Sequence, residues 1–433
     1  MGLCCQPYQS NLRPAFCIFI PEPKNIAMKI LILLLIPMLL TTCSKSEEPR
    51  LSPKEIKLSA EQVQIVDGGN RFGFDLFRQL INPDEPGENV FFSPLSVHMA
   101  LAMAWNGAAT STRIQITEAM YFPDIPDQQI NEGYRRLMAD LLSVDKKVAM
   151  DIANSVWYRQ GFSVKNDFLN LNRDYFDADV SELDFSDPKA RDIINAWVAA
   201  ATRNSIEEIV DEIAPDHVMF LINAIYFKGI WQTEFDKKKT VARPFMLYDG
   251  SQKDVMTMEM TADFAYTARE GYRVIELPYG RGNFSMLVFL PEPGSNVNEL
   301  IENLDWEQWN SLAAELSFKR EINVRLPRFE FSYETELKQP LMNLGIQKAF
   351  IPYQADFSGI TDEEIYISRV RHKSFVEVNE EGTEAAVVTS IEFREMSISE
   401  PFTFYVNRPF VFALKEKYTN SMLFIGRVMN PDE

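Results

Sequence analysis

Few residues of this 433-residue chain can do chemistry on their own. Three histidines are present, His98, His217 and His372, and four cysteines, Cys4, Cys5, Cys17 and Cys43. All four cysteines lie in the first tenth of the chain, so the remainder has neither a disulfide framework nor a thiol nucleophile. So few histidines and cysteines exclude a Cys/His zinc site and leave little from which to build a nucleophilic triad. Asp and Glu are plentiful, yet no pair is marked out for acid–base work, and no GxSxG, HExxH, CxxC or GxxxxGK[ST] pattern occurs. Gly280-Arg281-Gly282 lacks the third glycine of a dinucleotide loop. His98, inside an apolar stretch, reads as a hydrogen-bonded core residue. His217, beside Pro215 and Asp216, reads as structural or surface. No catalytic residue, metal site or cofactor is expected. With 62 acidic against 43 basic residues and a net charge of −19, nucleic acid is not an expected partner.

The segment with a chemical possibility is 375–400. Phe375 to Val378 reads as a strand. After the pivot Gly382, Thr383, Ala385, Val387, Thr389, Ile391 and Phe393 fall on one face of a period-2 pattern, small to apolar and uncharged. Glu384, Ala386, Val388, Ser390, Glu392 and Arg394 fall on the other, which carries every charge. An ordinary hairpin strand has this pattern. The Glu380-Glu381-Gly382 start and the polar run Glu395 to Glu400 fit an exposed loop equally well. Strand and loop together describe a segment able to be either.

Such a segment needs a body to hold it. The chain is 46% hydrophobic, with 31 Phe, 15 Tyr and 6 Trp, enough for a large core. Val63, Val66, Phe74, Leu76, Phe77 and Leu80 recur at helical spacing over 61–81. Ser93-Pro94 opens a second helix, apolar nearly all round from Leu95 to Trp105 and ended by Gly107. Thr112 to Gln115 has a capping-box pattern, and 188–210 is another helical stretch. From residue 218 strands take over: Val218 to Phe227, Met286 to Leu290, and Ile322-Val324-Leu326. A parity shift at Phe329, Phe331 and Tyr333 suggests a bulge or bend. Strands around Phe404, Phe410 to Leu414 and Met422 to Ile425 close the chain. Helices first and sheets after give an α+β fold in one domain.

The beginning of the chain reads as an address. Lys29, the apolar run Ile30 to Leu40 and the small polar residues after it have the build of a secretory signal. Leu40-Thr41-Thr42-Cys43 resembles a bacterial lipobox, with Thr42 departing from the usual Gly, Ala or Ser; a plain signal peptide is the alternative. The expected organisation is an upstream extension over 1–27, with translation starting at Met28 as the preferred account. A lipoprotein signal peptide follows over 28–42, a polar tether over 43–58 and the folded domain over 59–433. Loss of 1–42 removes Arg13, Lys24, Lys29 and only Glu22, leaving a still more acidic protein. Lipid on Cys43 implies attachment to a bacterial envelope, periplasmic or at the cell surface.

Residues 60–433 as a whole resemble the serpins. Glu380-Glu381-Gly382-Thr383-Glu384-Ala385-Ala386 is similar to the hinge of inhibitory members. Asn89 to Ser96 resembles the start of the family's buried second helix, and Asn223 to Trp231 the strand leading into its breach. Leu326-Pro327-Arg328-Phe329, Asp356 to Ile360, Asn407-Arg408-Pro409-Phe410 and Phe424 to Val428 match in order. The resemblance implies a reactive-centre loop over about 380–405. A target serine protease cuts it, and the cut loop then inserts as an extra strand in a central sheet. It further implies that Ser93, Ser96, Asn223 and His372 form a shutter controlling the parting of that sheet, and that Trp231 lies at the breach.

The scissile bond is expected at Met396–Ser397, counted from Gly382. Arg394 is an alternate, and counting back from Pro409 gives Ile398. Met396 suggests elastase-, chymotrypsin- or subtilisin-like serine proteases held covalently, with cysteine proteases as a further class. A binding or scaffold serpin, cleaved without trapping, is the competing expectation. Arg135, Arg136, Lys146 and Lys147 mix with acids and do not favour heparin. A monomer is expected.

Overall fold

The computed structural model describes residues 52–81, 86–383 and 402–432. Helix α1 (Ala60–Leu80) starts at a capping box: Ser59 Oγ accepts from the Gln62 amide, and the Gln62 side chain accepts from the Ser59 amide. Strand β1 (Val90–Phe92) leads into α2 (Pro94–Trp105), capped by Ser93 and buried along almost its whole circumference. That all-round burial makes α2 the post on which the rest is built. Gly107, beyond its end, is not left-handed. A Cβ there would stand 2.2 Å from the Ile360 side chain, so the glycine serves close packing rather than a turn.

Helix α3 (Thr110–Ala119) starts two residues before the pattern at Thr112, and its N-cap Ala109 has no side-chain bond. Thr112 and Gln115 are used elsewhere, accepting the amides of Asp356, Gln347 and Lys348. The chain continues through α4 (Asp127–Ser143), β2 (Val148–Arg159), α5 (Asn166–Phe176), β3 (Ala178–Leu183), α6 (Lys189–Ala201) and β4 (Met219–Gly229). Helix α6 stops short of residue 210 because Arg203 and Asn204 take left-handed φ of 51° and 67°. Next come β5 (Val241–Met246), β6 (Gln252–Arg269), β7 (Tyr272–Pro278), β8 (Phe284–Pro291), α7 (Val297–Asn303), α8 (Trp306–Glu315), β9 (Ser317–Pro327) and β10 (Phe329–Glu336). Helix α9 (Lys338–Asn343) and strands β11 (Arg371–Val378), β12 (Thr403–Tyr405), β13 (Phe410–Glu416) and β14 (Met422–Val428) complete the described chain.

Nine strands form one sheet, in the order β1-β14-β13-β8-β7-β6-β9-β12 with β5 on β6. Strands β8, β13 and β14 are buried at every position, as their mostly apolar sequences lead one to expect, and even Ser285, Lys415, Glu416 and Arg427 within them are buried. The parity shift after Pro327 is not a bulge. Strand β9 belongs to the nine-stranded sheet and β10 to a different one, with Arg328 between them. Two smaller sheets remain, β3-β2-β4 and β10-β11. Residues read as the end of the tether are bonded to the body: Lys54 exchanges two hydrogen bonds with the Asn283 side chain, and Ser52 O accepts from Arg281.

Candidate functional site

The two small sheets present their free edges, β4 and β11, to each other. Among the described residues no ladder joins them. Residues 223–227 of β4 and 372–377 of β11 line the two walls of one cavity, with Ser93 and Ser96 beneath and Thr383 at the top. Towards the other end the walls enclose a cleft of about 310 Å³ lined by 218–223 and 365–372. Both strands are firmly held on their outer sides, β4 by β2 over eleven register pairs and β11 by β10 over eight. Each wall is therefore rigid while the seam between them is open, and an unpaired edge is a template for another strand.

The floor of the seam is the N-terminus of α2. The Ser93 amide donates to His372 Nε2 at 3.3 Å, while Ser93 Oγ caps the helix and donates to Leu423 O at 2.6 Å. Ser96 Oγ donates to Asn223 O at 3.4 Å. Asn223 Nδ2 donates to Asn154 Oδ1 at 2.6 Å, and Asn154 Nδ2 to Phe176 O at 2.7 Å. Asn223 Oδ1 is buried without a hydrogen-bond partner. Burial pushes the His372 imidazole down to about 4, so it is neutral at physiological pH and accepts at Nε2. The structure thus gathers Ser93, Ser96, Asn223 and His372 at one point of the seam.

The top of the seam is closed by a turn. Asn379 and Gly382 exchange both backbone hydrogen bonds, reversing the chain after β11. Gly382 has φ +142°, and a Cβ on it would lie 2.0 Å from Gly229 O, so only glycine fits. The Thr383 amide then donates to Gly229 O at 2.7 Å, and Gly382 pairs antiparallel with Ile230. Trp231 braces the turn: its amide donates to Glu381 O and its Nε1 to Asn379 O, both at 2.9 Å, while its ring stacks on Tyr279 at 4.3 Å. The Tyr279 hydroxyl meets Thr383 Oγ1 at 3.1 Å.

Charges pin the same turn. Glu380, 2% exposed, is bonded by Arg328 and Thr240, and Glu381, 4% exposed, by Lys237. Burial alone would raise the Glu380 carboxyl, but the bonds from Arg328 and Thr240 hold it below the ordinary carboxylate range. Burial and the charge of Glu381 raise Glu234. Among the described residues no cluster of His, Cys, Asp or Glu suits a metal ion.

Glu380, Glu381, Gly382, Thr383 and Trp231 thus lie together, with the shutter residues farther along the same seam. Glu384, Ala385, Ala386, Arg394, Met396, Ser397, Ile398 and Cys43 lie outside the described residues. Sequence reading missed Asn154, Thr240, Lys237 and Tyr279. Nothing local marks Asn154, whose role comes from its register opposite Asn223. Tyr279 had a signal in the Pro-Tyr-Gly closing an apolar strand, but its partner Thr383 is remote in sequence.

Comparison with known proteins agrees with this arrangement. The family described as serpin (serine protease inhibitor) matches residues 67–431. The leukocyte elastase inhibitor of Equus caballus is 32% identical over 382 residues, covering 85% of this chain and all of its own. The thermophilic serpin tengpin in its native state superposes with TM-score 0.78 at 32% identity, over 88% of this chain and 98% of its own. Human thyroxine-binding globulin, solved with thyroxine, superposes with TM-score 0.79 at 27% identity, over 86% of this chain and 100% of its own. The motifs, the open seam and the matched length agree, and the chain belongs to the serpin family.

Proposed function

We propose that this serpin is a suicide-substrate inhibitor of serine proteases. The protease serine Oγ attacks the Met396 carbonyl carbon, the bond to Ser397 breaks, and its nitrogen leaves with a proton. The acyl-enzyme is then carried as the segment from Thr383 onwards enters the seam as a strand, before water can release it. The observation supporting this reading is the turn at Gly382, which aims the chain antiparallel to both open edges. Continued in the Ile230–Gly382 register, an inserted strand sets Thr389 opposite both Asn223 and His372, where Asn223 Oδ1 has no partner. The reacting nucleophile is the protease's, consistent with a chain poor in His and Cys. The similarity to a leukocyte elastase inhibitor supports an elastase-like target class, and Met396 extends that class to chymotrypsin- and subtilisin-like enzymes.

The test is incubation with a panel of serine proteases and a papain-like cysteine protease, followed by denaturing gels. An SDS-resistant complex and release of residues 397–433 are expected. Sequencing the fragment distinguishes Met396–Ser397 from cuts at Arg394 or Ile398. Thr383→Arg puts a charge on the inserting face beside buried Tyr279 and turns the inhibitor into a substrate, cleaved at a similar rate without complex. Cleavage of the wild-type chain without any complex would instead support a binding serpin. The protein acts from a bacterial envelope, held by lipid on Cys43. Detergent phase partition of the full chain, lost in Cys43→Ser, tests that location.

A further inference from the structure

Strand β9 carries a feature that the inhibitory machinery does not use. Its fully buried apolar residues Ile322, Val324 and Leu326 occur at even positions, although Asn323 and Pro327 are buried as well, and alternation of the apolar set would bury Phe318 too. Instead Phe318 is 81% exposed. The cause is a bulge. Ala262 pairs with Ile322 but Phe264 pairs with Lys319, so Arg320 and Glu321 stand opposite Asp263 alone. The extra residue shifts the alternation, so Phe318 does not follow Ile322 into the core, and Ser317, Phe318, Lys319 and Arg320 are all exposed beyond the bulge. Glu321 takes φ +54° to make the bulge, and its amide is tied to Asp263 Oδ1 at 3.1 Å. A non-glycine residue held in the left-handed region to expose a phenylalanine is an unfavourable local arrangement and points to a use.

The place of this side chain suggests the use. Lys319, its neighbour, sets its Nζ 3.5 Å from the centre of the Phe402 ring. Phe402 is the first described residue after 384–401 and bonds its carbonyl to the Asn323 amide of β9. Phe318 therefore stands beside the C-terminal root of the cleaved loop, on the leaving-group side of the scissile bond. A protease that closes over the loop covers about 800 Å² of each partner, and Phe402 is only six residues beyond Met396 in the chain. Lys319 and Arg320 are exposed next to Phe318, with the acids Asp263 and Glu321 on the other side of the bulge.

We propose that Phe318, flanked by Lys319 and Arg320, is a docking site for the target protease, engaging an apolar pocket with an acidic rim beside its active-site cleft. This rests on the inhibitor reading, but its test separates the two. The rate of loop cleavage is measured for wild type and Phe318→Ala with each protease of the panel, alongside covalent complex yield. An exposed residue can be truncated without loss of folding, which the melting temperature checks. At least about tenfold slower cleavage is expected with one or more proteases, as for a buried aromatic anchor, at unchanged complex yield. Lys319→Gln with Arg320→Gln should flatten the salt dependence of that rate. If cleavage by every protease is indifferent to Phe318, the docking site is overturned even where complexes form. If Phe318 governs cleavage but no complex forms, the docking site stands and the inhibitor reading falls. A wild-type dimer that Phe318→Ala dissolves, with cleavage rates unaltered, would assign the face to a second copy of this chain and also overturn the proposal.

Discussion

Gly382 shows how much a single position can demand. Its φ of +142° and the 2.0 Å approach of Gly229 O leave no room for any side chain, and the turn places Thr383 at the mouth of the seam. Two other residues govern behaviour in acid. His98 and His372 are both pushed down to about 4 by burial; His98 is held between the Tyr134 hydroxyl and Met120 O, and His372 by the Ser93 amide. The unfolded chain takes up protons on these rings near the ordinary imidazole value of 6.5, whereas the folded one refuses them until about 4. Stability is therefore full above about pH 6.5 and falls as pH drops towards 4, by on the order of 3 kcal/mol for each ring. Urea melts across that range should show the loss, and His372→Gln should lessen its slope. An unchanged slope would mean that this ring is not buried neutral.

At the scale of elements, the seam between β4 and β11 is, among the described residues, an unpaired strand position with both neighbours in place. A synthetic peptide with the sequence of residues 383–394 should occupy it. We expect that peptide to raise the melting temperature and to abolish covalent complex formation, because the chain's own segment then finds the position filled. A scrambled peptide of the same composition should do neither, and equal effects from both would refute strand addition. Most of these elements were legible in the sequence. The Ser93-Pro94 start, the apolar run that forms β4 and the closing strands all follow from local pattern, because capping and burial leave marks on neighbouring residues, although Met219 to Leu221 beside the seam are only half-buried. The errors came where distant chain segments decide the outcome. Gly107 answers to Ile360, Thr112 to Asp356, and the break at Arg328 to a change of sheet that no local parity can reveal. The site divides similarly. Gly382 and its acidic neighbours announce themselves, whereas Lys237, Thr240 and Arg328 become their partners only through the fold.

For the whole molecule, the described residues leave β4 and β11 in separate sheets, and in the mechanism proposed above the strand that fits between them comes from the loop. Cutting that loop should therefore stabilise the protein, the reverse of what a nick does to most folds. The added ladders and the filling of a cleft of about 310 Å³ are expected to raise the melting temperature by more than about 10 °C. Calorimetry before and after limited proteolysis within 384–401 measures this directly, and an unchanged or lower transition would show that the cut segment stays outside. The turn at Asn379–Gly382 has a further consequence in kinetics. In the mechanism proposed above, the segment that closes the seam is covalently joined to one of its walls, so closure is a first-order event whose half-time is independent of concentration. In that mechanism, dilution after protease attachment cannot slow the race between insertion and release, and the outcome for each pair is fixed by two rate constants of the complex alone. The proposed inhibitor is thus a timer, set by one bond cleavage and read once.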